Sequence, residues 1–242
     1  MSKLPADPRS AHAEAVADAK RLLRLSRTGA LATLDPATGA PLTTLVGIAS
    51  DFDGAPLFLM STLARHTRHL ASDPRASLLL TEEPERGDPL NHPRITLNGR
   101  IERARDLRVR PRYLQRNPKA NLYVDFADFD FFRLAIESVH FNGGFGRADP
   151  LTVADILAPR ESEAALVEAE LRLIDWVNGL GDEVGARLAG RKQPGRQVWR
   201  AVGLDAEGVD LSAGSRVARV QFAEPALDEL TWRAALVKAA GL

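Results

Sequence analysis

The chain has 242 residues, of which 45% are hydrophobic and 26% charged, and 32 basic residues balance 32 acidic ones. This balance gives no global positive field that would attract nucleic acid or a membrane surface. There is no cysteine, which excludes disulfides, thiolate metal sites and cysteine nucleophiles and suits a reducing cytoplasm. No apolar run is long enough to span a bilayer, and the N-terminus lacks the apolar region of a signal peptide. We therefore expect a cytoplasmic globular protein without nucleic-acid or membrane partners.

The first two thirds of the chain are rich in predicted strands. Helical periodicity predicts a helix over residues 11–25, and shorter helices are predicted for residues 63–72 and 105–116. Pro111 has to lie near the start of the last of these. Alternation and turn signals predict six strands, at residues 30–34, 41–50, 55–60, 76–81, 94–103 and 131–141. The leucine run 78–80 predicts a central strand that is buried on both faces.

The composition changes after a break at residues 148–160, which contains two prolines. Beyond it we predict a long helix over residues 161–188, which Gly179 and Gly181 are able to split. Three short strands at 196–203, 208–211 and 216–222 precede a final helix at 226–240. The sequence thus predicts two domains, residues 10–156 and a small α+β unit at residues 160–242.

A basic segment lies where the third predicted strand leads into the short helix. Ser61 and Thr62 offer capping hydroxyls, and the first turns of the helix carry four basic side chains: Arg65, His66, Arg68 and His69. Cations there face the positive end of the helix dipole, which is unfavourable unless an anion is bound. Backbone N–H groups, hydroxyls and basic side chains would then converge on one phosphate. The alternative is a solvated basic helix on a neutral protein.

An aromatic stretch at residues 117–132 precedes the last strand of this block. It predicts a cap over a ligand or an oligomer interface, or else a corner of the core. The strand after it ends in glycines on both sides of Phe145, which let a backbone approach a ligand or a neighbouring subunit closely. These glycines lack the spacing of a dinucleotide-binding fingerprint.

Neither a serine-hydrolase nor a zinc-protease motif occurs in the chain. His66 and His69 are close in sequence, but Arg65 and Arg68 beside them disfavour a metal ion by charge repulsion. We predict no metal site. The sequence alone assigns no residue as a general acid or base.

Longer stretches resemble a known superfamily. GALATL, PLTTLVGIAS, PLFLMSTLARHTRHLASDPRASLLL and DPLNHPRITLNGRIE resemble the pyridoxamine 5′-phosphate oxidase-like, FMN-binding split β-barrel superfamily. STLARHTRHL, YLQRNPKANLYVDFADFDFFRL and VHFNGGFGRA resemble its haem-utilisation (HugZ-like) branch. The resemblance covers residues 15–156 in consistent order, and the C-terminal part is similar to the small domain that often follows the barrel in that branch.

The resemblance implies a six-stranded antiparallel split β-barrel, an obligate homodimer, and FMN at the subunit interface. The residues implied for the phosphate are Ser61, Arg65, His66 and Thr67, with Thr62 as a further hydroxyl donor. Arg94, Ile95 and Thr96 are implied to approach the flavin from below. Gly144 and Phe145 of the second subunit are implied to lie near the flavin ring.

The chain departs from the family in two places. We find no C-terminal Arg/Trp segment of the kind the oxidase proper uses for its substrate. Haem-degrading members use a histidine of the C-terminal domain, whereas the last histidine here is His140. Two hypotheses follow: an FMN-dependent oxidoreductase of unknown substrate, or a non-catalytic flavin- or haem-binding protein on the same barrel.

Overall fold

The computed structural model describes residues 8–82, 87–144, 149–158 and 164–241. Its helices are α1 (Pro8–Leu25), α2 (Arg65–Ser72), α3 (Val109–Arg116), α4 (Val153–Ile156), α5 (Ala164–Gly179), α6 (Asp182–Leu188) and α7 (Glu229–Ala240). Its strands are β1 (Thr28–Leu34), β2 (Pro41–Ser50), β3 (Pro56–Ser61), β4 (Arg75–Thr81), β5 (Arg94–Arg103), β6 (Phe129–Asn142), β7 (Arg200–Asp205), β8 (Gly208–Ala213) and β9 (Arg216–Gln221). Short 3-10 helices cover Pro89–Asn91 and Pro118–Leu122. No helix within these ranges is long and apolar enough to cross a membrane.

Strands β1 to β6 close into an antiparallel barrel in the order β1-β2-β3-β6-β5-β4, with β4 paired to β1. The predicted six-stranded antiparallel barrel is confirmed. Alternate side chains point inward, and Leu31, Leu78, Leu97 and Leu134 are fully buried there. Helix α1 adds Ala19, Leu22 and Leu23 to the same hydrophobic cluster. Burial of each leucine stabilises the fold by roughly 2 kcal/mol relative to its exposed state.

The leucines of β4 do not share one environment. Leu78 and Leu80 are fully buried, whereas Leu79 is 37% exposed, so the prediction of burial on both faces is wrong. The reason is the closed barrel. A strand in its wall has one face inside and one outside, whereas a central strand of a sheet covered by helices is buried on both.

A β-bulge interrupts the long pairing of β5 with β6 at Asn98 and Gly99. A Cβ atom built on Gly99 would lie 2.0 Å from the Ala135 carbonyl oxygen, which no side chain tolerates. Glycine therefore permits the close approach that the bulge requires.

Helix α2 packs on the barrel beside β1, with Leu70 in the main core. It begins at Arg65, and its N-cap residue is Ala64, which offers no side-chain cap. The predicted capping by Ser61 or Thr62 is therefore wrong, because β3 continues through Ser61 and delays the helix.

Helix α3 and the aromatic stretch form a second cluster against the outside of β3. Tyr113 is buried and meets Phe131 edge-on at 5.7 Å between ring centroids, while Tyr123 and Phe129 pack beside them. Pro111 occupies the first turn of α3, where a backbone N–H has no partner within the helix. Most of these aromatics therefore form a corner of the core, although Phe126 remains exposed.

The C-terminal region, residues 164–241, contains the antiparallel sheet β7-β8-β9 and helices α5 to α7. Gly179 ends α5 and Gly181 precedes α6, which confirms the predicted split of the long helix. The core of this region centres on Leu173, Val209 and Trp232, all of them fully buried.

Buried ion pairs join the barrel to the C-terminal region. Arg112 of α3 lies 2.5 Å from Glu170 of α5, and Arg24 of α1 lies 3.1 Å from Asp205 of β7. Asp205 also pairs with Arg219 at 2.8 Å. The strands divide into two separate sheets, and the boundary between domains at residues 156–160 stays a prediction.

Candidate functional site

The segment that joins β3 to α2 is held by Asp128, which precedes β6. The Ser61 hydroxyl donates a hydrogen bond to the Asp128 carboxylate over 2.5 Å, and the Thr62 N–H donates to the Asp128 carbonyl oxygen over 2.6 Å. The hydroxyl predicted to bind a phosphate is therefore engaged with a carboxylate. The negative charge of that carboxylate disfavours a second anion at the same place.

The Arg65 guanidinium extends from the first turn of α2 to the turn between β1 and β2. Its Nη2 atom lies 3.1 Å from Asp35 Oδ2, and its side chain is 64% exposed. Hydrogen bonds from the Ala37 N–H and from Arg65 hold the pKa of Asp35 below its ordinary value. Asp35 is therefore ionised at neutral pH and neutralises Arg65, in a pair that is weak because it is exposed to water.

Two histidines of α2 contact hydroxyl groups of the barrel wall. His66 Nδ1 lies 3.2 Å from Thr44 Oγ1, and His69 Nδ1 lies 3.3 Å from Thr33 Oγ1. Burial lowers the pKa of His66, and the charge of His69 lowers it further, so His66 is neutral at pH 7. Within the part of the chain that the structure describes, no cluster of three or more His, Cys, Asp or Glu side chains is arranged to hold a metal ion.

Thr67 is the residue of this segment whose environment points to a ligand. It is 6% exposed, and its hydroxyl oxygen has no hydrogen-bond partner among the described residues. A buried hydroxyl without a partner costs about 1–3 kcal/mol. A hydrogen-bonding ligand or an ordered water at the first turn of α2 would remove that cost.

The remaining predicted residues that the structure describes lie at the start of β5 and just after β6. Ser61 pairs with Phe129, the first residue of β6, whereas Arg94 pairs with Asn142, the last one. These two positions are separated by roughly 40 Å of strand, since each residue advances it by about 3.3 Å. Other residues of the two groups are less far apart, because His66 contacts Thr44, which neighbours Leu45 in the row that also contains Thr96.

Arg94, Ile95 and Gly144 do not share one environment. Arg94 donates to the Leu90 carbonyl oxygen over 2.9 Å, and the Ile95 side chain is fully buried inside the barrel. Gly144 has a φ of +110°, and a Cβ built on it would lie 2.5 Å from the Asn91 carbonyl oxygen. Only glycine fits this position. Phe145 lies outside the described residues.

The outside of the barrel carries an uncharged surface that spans five strands. Cross-strand pairing aligns two neighbouring rows of outward side chains on β2, β1, β4, β5 and β6. We call these ten residues the outer barrel face: Leu45, Ala30, Leu79, Thr96 and His140 in one row, and Thr43, Ala32, Ser77, Asn98 and Ser138 in the other.

The outer barrel face has one ionisable side chain, His140, although 26% of the chain is charged. Leu45 is 76% exposed, and the exposed Leu79 lies in the same row. A third row continues this alignment with Gly47 paired to Thr28 and with Thr81 paired to Arg94 and Arg94 to Asn142, although Thr28 and Thr81 lie beyond the paired part of β1 and β4. A broad surface of small, apolar and neutral polar side chains is typical of an interface or of a site for a flat apolar ligand.

Comparison with known proteins places the barrel in a family. The family model described as "CREG, beta-barrel" matches residues 10–157, more than half of the chain and all six barrel strands. The chain belongs to the CREG beta-barrel family. The predicted relationship to the pyridoxamine 5′-phosphate oxidase-like split barrels and their haem-utilisation branch is confirmed by this match and by the neighbours described next.

Among curated proteins, the CREG-type barrel resembles the chloroplastic haem oxygenase HOZ of Arabidopsis thaliana. The two are 34% identical over 146 residues, which is 59% of this chain and 44% of the relative. The match thus spans less than half the length of HOZ.

Among solved structures, a protein of unknown function from Agrobacterium tumefaciens is 36% identical, with a TM-score of 0.82. The match covers 98% of this chain and 100% of that protein, so the similarity includes the C-terminal region. A haem binding protein from Mycobacterium smegmatis is 29% identical over 94% of this chain and 96% of its own, with a TM-score of 0.56.

Two features of this CREG-family barrel were not recognised in the sequence. One is the outer barrel face, and the other is the position of His140 within it. The sequence did carry a signal, because residues 28–34 and 41–47 have no charge on either face of their strands. A strand that faces solvent on one side normally alternates apolar with polar or charged residues. The lack of charged residues in this alternation indicates an outward surface that is covered by a partner or a ligand.

Proposed function

We propose that the protein binds haem on the outer barrel face, between two copies of the chain, with His140 as the ligand to iron. The observation that carries this proposal is a single imidazole on an otherwise uncharged surface. The relatives support it, since one that shares the barrel is a haem oxygenase and another is a haem binding protein.

The residues present suit the parts of a haem group. Leu45 and Leu79 offer apolar contact for a flat macrocycle and exclude water from it. His140 offers an imidazole nitrogen of the kind that coordinates haem iron, and Arg94 in the third row offers a cation for an acidic substituent. When bound, haem would supply a redox-active iron, which no side chain of this cysteine-free chain provides.

The proposal includes two copies of the chain, because the outer barrel face is apolar and remains exposed in a single copy. In an isologous dimer the same patch packs on itself, related by a two-fold axis. Such packing would cover the exposed Leu45 and Leu79 of both copies.

The test is a haemin titration followed by absorption spectroscopy. We expect the wild-type protein to shift the Soret band of haemin, and His140→Ala to weaken binding by about tenfold or more and to alter the band position. His12→Ala is the matched control, because His12 belongs to α1, pairs with Asp149 and lies away from this face. Unchanged haemin spectra with the wild type, or identical titrations for His140→Ala and the control, would refute the proposal.

The same complex tests for an enzymatic role. We propose that the bound haem is degraded when ascorbate and oxygen are supplied, in line with the haem oxygenase that shares the barrel. Loss of the Soret band with appearance of a bile-pigment spectrum is the expected result. A stable Soret band would indicate a haem carrier.

FMN is the second candidate, and one observation favours it. The unpartnered Thr67 hydroxyl lies in the first turn of α2, beside Arg65 and His66, where the phosphate was predicted. The carboxylates of Asp35 and Asp128, which already engage Arg65 and Ser61, weaken this candidate. An FMN-dependent oxidoreductase with a flavin between two subunits remains the alternative function.

A further inference from the structure

A cleft lies between one end of the barrel and the C-terminal region. It has a volume of about 680 Å³, and its lining includes Arg27 and His92 from the barrel side and Arg191, Trp199 and Arg216 from the C-terminal region. We call it the junction cleft. Its wall is formed by both parts of the chain, so a ligand there would contact both.

Among the described residues that line it, the junction cleft has more basic than acidic side chains. Arg21 is neutralised by Glu82 through two hydrogen bonds of 2.7 and 3.0 Å. Among the described residues, Arg27, Arg191 and Arg216 have no carboxylate within ion-pair distance. Three guanidinium groups therefore face the cleft without a counter-charge from the described chain.

The three arginines are oriented by contacts that leave donors free. Arg27 donates one hydrogen bond to the Gly214 carbonyl oxygen over 2.6 Å. The Cζ atoms of Arg191 and Arg216 lie 6.0 and 5.6 Å from the ring centroid of the buried Trp199, and Arg216 Nη2 donates to Gln197 Oε1 over 3.4 Å. Each guanidinium carries five N–H donors in a planar fork, so most of them remain available to an anion.

A further buried cation lies behind Arg27. Arg116 is 5% exposed, and its Nη1 atom has no hydrogen-bond partner in the described ranges. Burial lowers the pKa of Arg116, Asp210 opposes this shift, and the charges of Arg27, Arg112 and Arg219 add to it. Arg112 and Arg219 are paired with carboxylates, which leaves Arg27 and Arg116 as the members of this group that have no ion pair among the described residues.

The junction cleft meets the outer barrel face at its edge. Thr28 and Thr81 line the cleft, and both belong to the third row beside that face, where Thr81 pairs with Arg94. A flat ligand on the barrel would therefore have its near edge at the cleft mouth, with Arg94 beside it.

We infer that the junction cleft binds the carboxylates of a flat, apolar ligand that lies on the outer barrel face, with Arg191 and Arg216 of the C-terminal region as the principal contacts. This inference rests on the proposed function, in which that ligand is haem and the carboxylates are its propionates. It gives the C-terminal region a role in ligand specificity: it selects macrocycles with free acid groups.

The test compares haemin with haemin dimethyl ester in one detergent-containing buffer, using the full chain. The variant is R191Q/R216Q, and the control is Arg172→Gln, an exposed arginine of α5 that pairs with Glu229 away from the cleft. We expect the double variant to bind haemin about tenfold more weakly, because charge-assisted hydrogen bonds are lost, and to bind the ester like the wild type. Thermal melting and circular dichroism check that each variant is folded.

The outcomes separate the two proposals. If the wild type binds both ligands and R191Q/R216Q changes neither affinity, the inference fails and haem binding stands. An equal loss for haemin and its ester also overturns the inference, because the arginines then do not act through the carboxylates. If the wild type binds neither ligand, the proposed function fails and this inference falls with it.

Discussion

Three buried side-chain atoms lack a hydrogen-bond partner in the described part of the chain: Thr67 Oγ1, Arg116 Nη1 and Asp205 Oδ2. Asp205 Oδ2 nevertheless lies 3.1 Å from Arg24 Nε, so its charge is compensated even without hydrogen-bond geometry. Thr67 Oγ1 has no polar partner among the described residues, and Arg116 has no ion pair there, although the charge of Asp210 opposes the lowering of its pKa. The first lies at the segment predicted to bind a phosphate and the second lies behind the junction cleft, so both belong to places where we expect a ligand.

Replacement of Thr67 by the isosteric valine tests the first of these atoms. We expect Thr67→Val to raise the free energy of unfolding of the ligand-free protein by about 1 kcal/mol, because an unpaired buried hydroxyl becomes a methyl group. Urea unfolding at pH 7 measures this. Ser61→Ala is the control. We expect it to lower the free energy of unfolding, because the Ser61 hydroxyl has a hydrogen-bond partner in Asp128.

The same variant discriminates FMN from haem. If the Thr67 hydroxyl contacts a flavin phosphate, Thr67→Val loses affinity for FMN and keeps its affinity for riboflavin. Equal affinities of variant and wild type for FMN would remove the observation that favours the second candidate. A marked loss of stability in Thr67→Val would show that the hydroxyl is hydrogen-bonded in solution.

At the scale of elements, the barrel strands have two apolar faces with different roles. The inner face builds the core, and the outer barrel face remains exposed in a single chain. The leucine run 78–80 shows the division, because its middle residue points outward while its neighbours are buried. A sequence pattern indicates that both faces of a strand are apolar or uncharged. It does not indicate whether each face is buried within its own chain or by a partner.

Leu79→Glu tests the proposed role of the outer barrel face in dimer formation. A carboxylate in the middle of a self-packing surface meets its own copy across the two-fold axis, and desolvation adds to the repulsion. We expect the variant to be monomeric at concentrations at which the wild type is a dimer, as measured by sedimentation velocity.

Leu122→Glu is the matched control for that experiment. Leu122 is 79% exposed and lies in the 3-10 helix before β6, outside the outer barrel face. A wild type that sediments as a monomer, or a dimer that survives Leu79→Glu but not Leu122→Glu, would contradict the proposed interface.

For the whole molecule, the buried charges between barrel and C-terminal region couple its two parts. Asp205 is the centre of this network, held by Arg24 of α1 and by Arg219 of β9. Burial raises the pKa of Asp205, but the charges of Arg24 and Arg219 outweigh it and lower the pKa to about 2. The ionised carboxylate therefore stabilises the folded state at neutral pH.

The sign of this shift predicts a loss of stability in acid. The folded pKa of Asp205 is about 2, below the unfolded value of about 3.9, so its contribution is complete above about pH 5. It is lost as the pH falls through 4 towards 2, and its size is about 2 kcal/mol.

Asp205→Asn should therefore be destabilised by about 3 kcal/mol at pH 7, because the buried Arg24 loses its carboxylate and Arg219 keeps only Asp210. Between pH 5 and 2 its stability should fall less steeply than that of the wild type, as urea unfolding at several pH values will show. Asp175→Asn, on an exposed part of α5, is the control. Parallel pH curves for wild type and Asp205→Asn would refute the role given to this carboxylate.

The sequence by itself determined the barrel strands, the position of α2 and the split between α5 and α6, because periodicity, turn residues and helix-ending glycines are local signals. It also located the basic segment around Arg65. It did not predict that Asp35 and Asp128 occupy its donors, since these carboxylates are 30 and 67 residues away from their partners.

Only the tertiary structure decided which faces of the strands lie outside, that Ser61 and Arg94 pair with opposite ends of β6, and that His140 is the one ionisable residue of the ten that form the outer barrel face. The junction cleft likewise exists only because chain closure brings Arg27 next to Arg191 and Arg216. Strand pairing and packing between distant segments set these relations. They depend on where the chain returns in space, which no local pattern encodes.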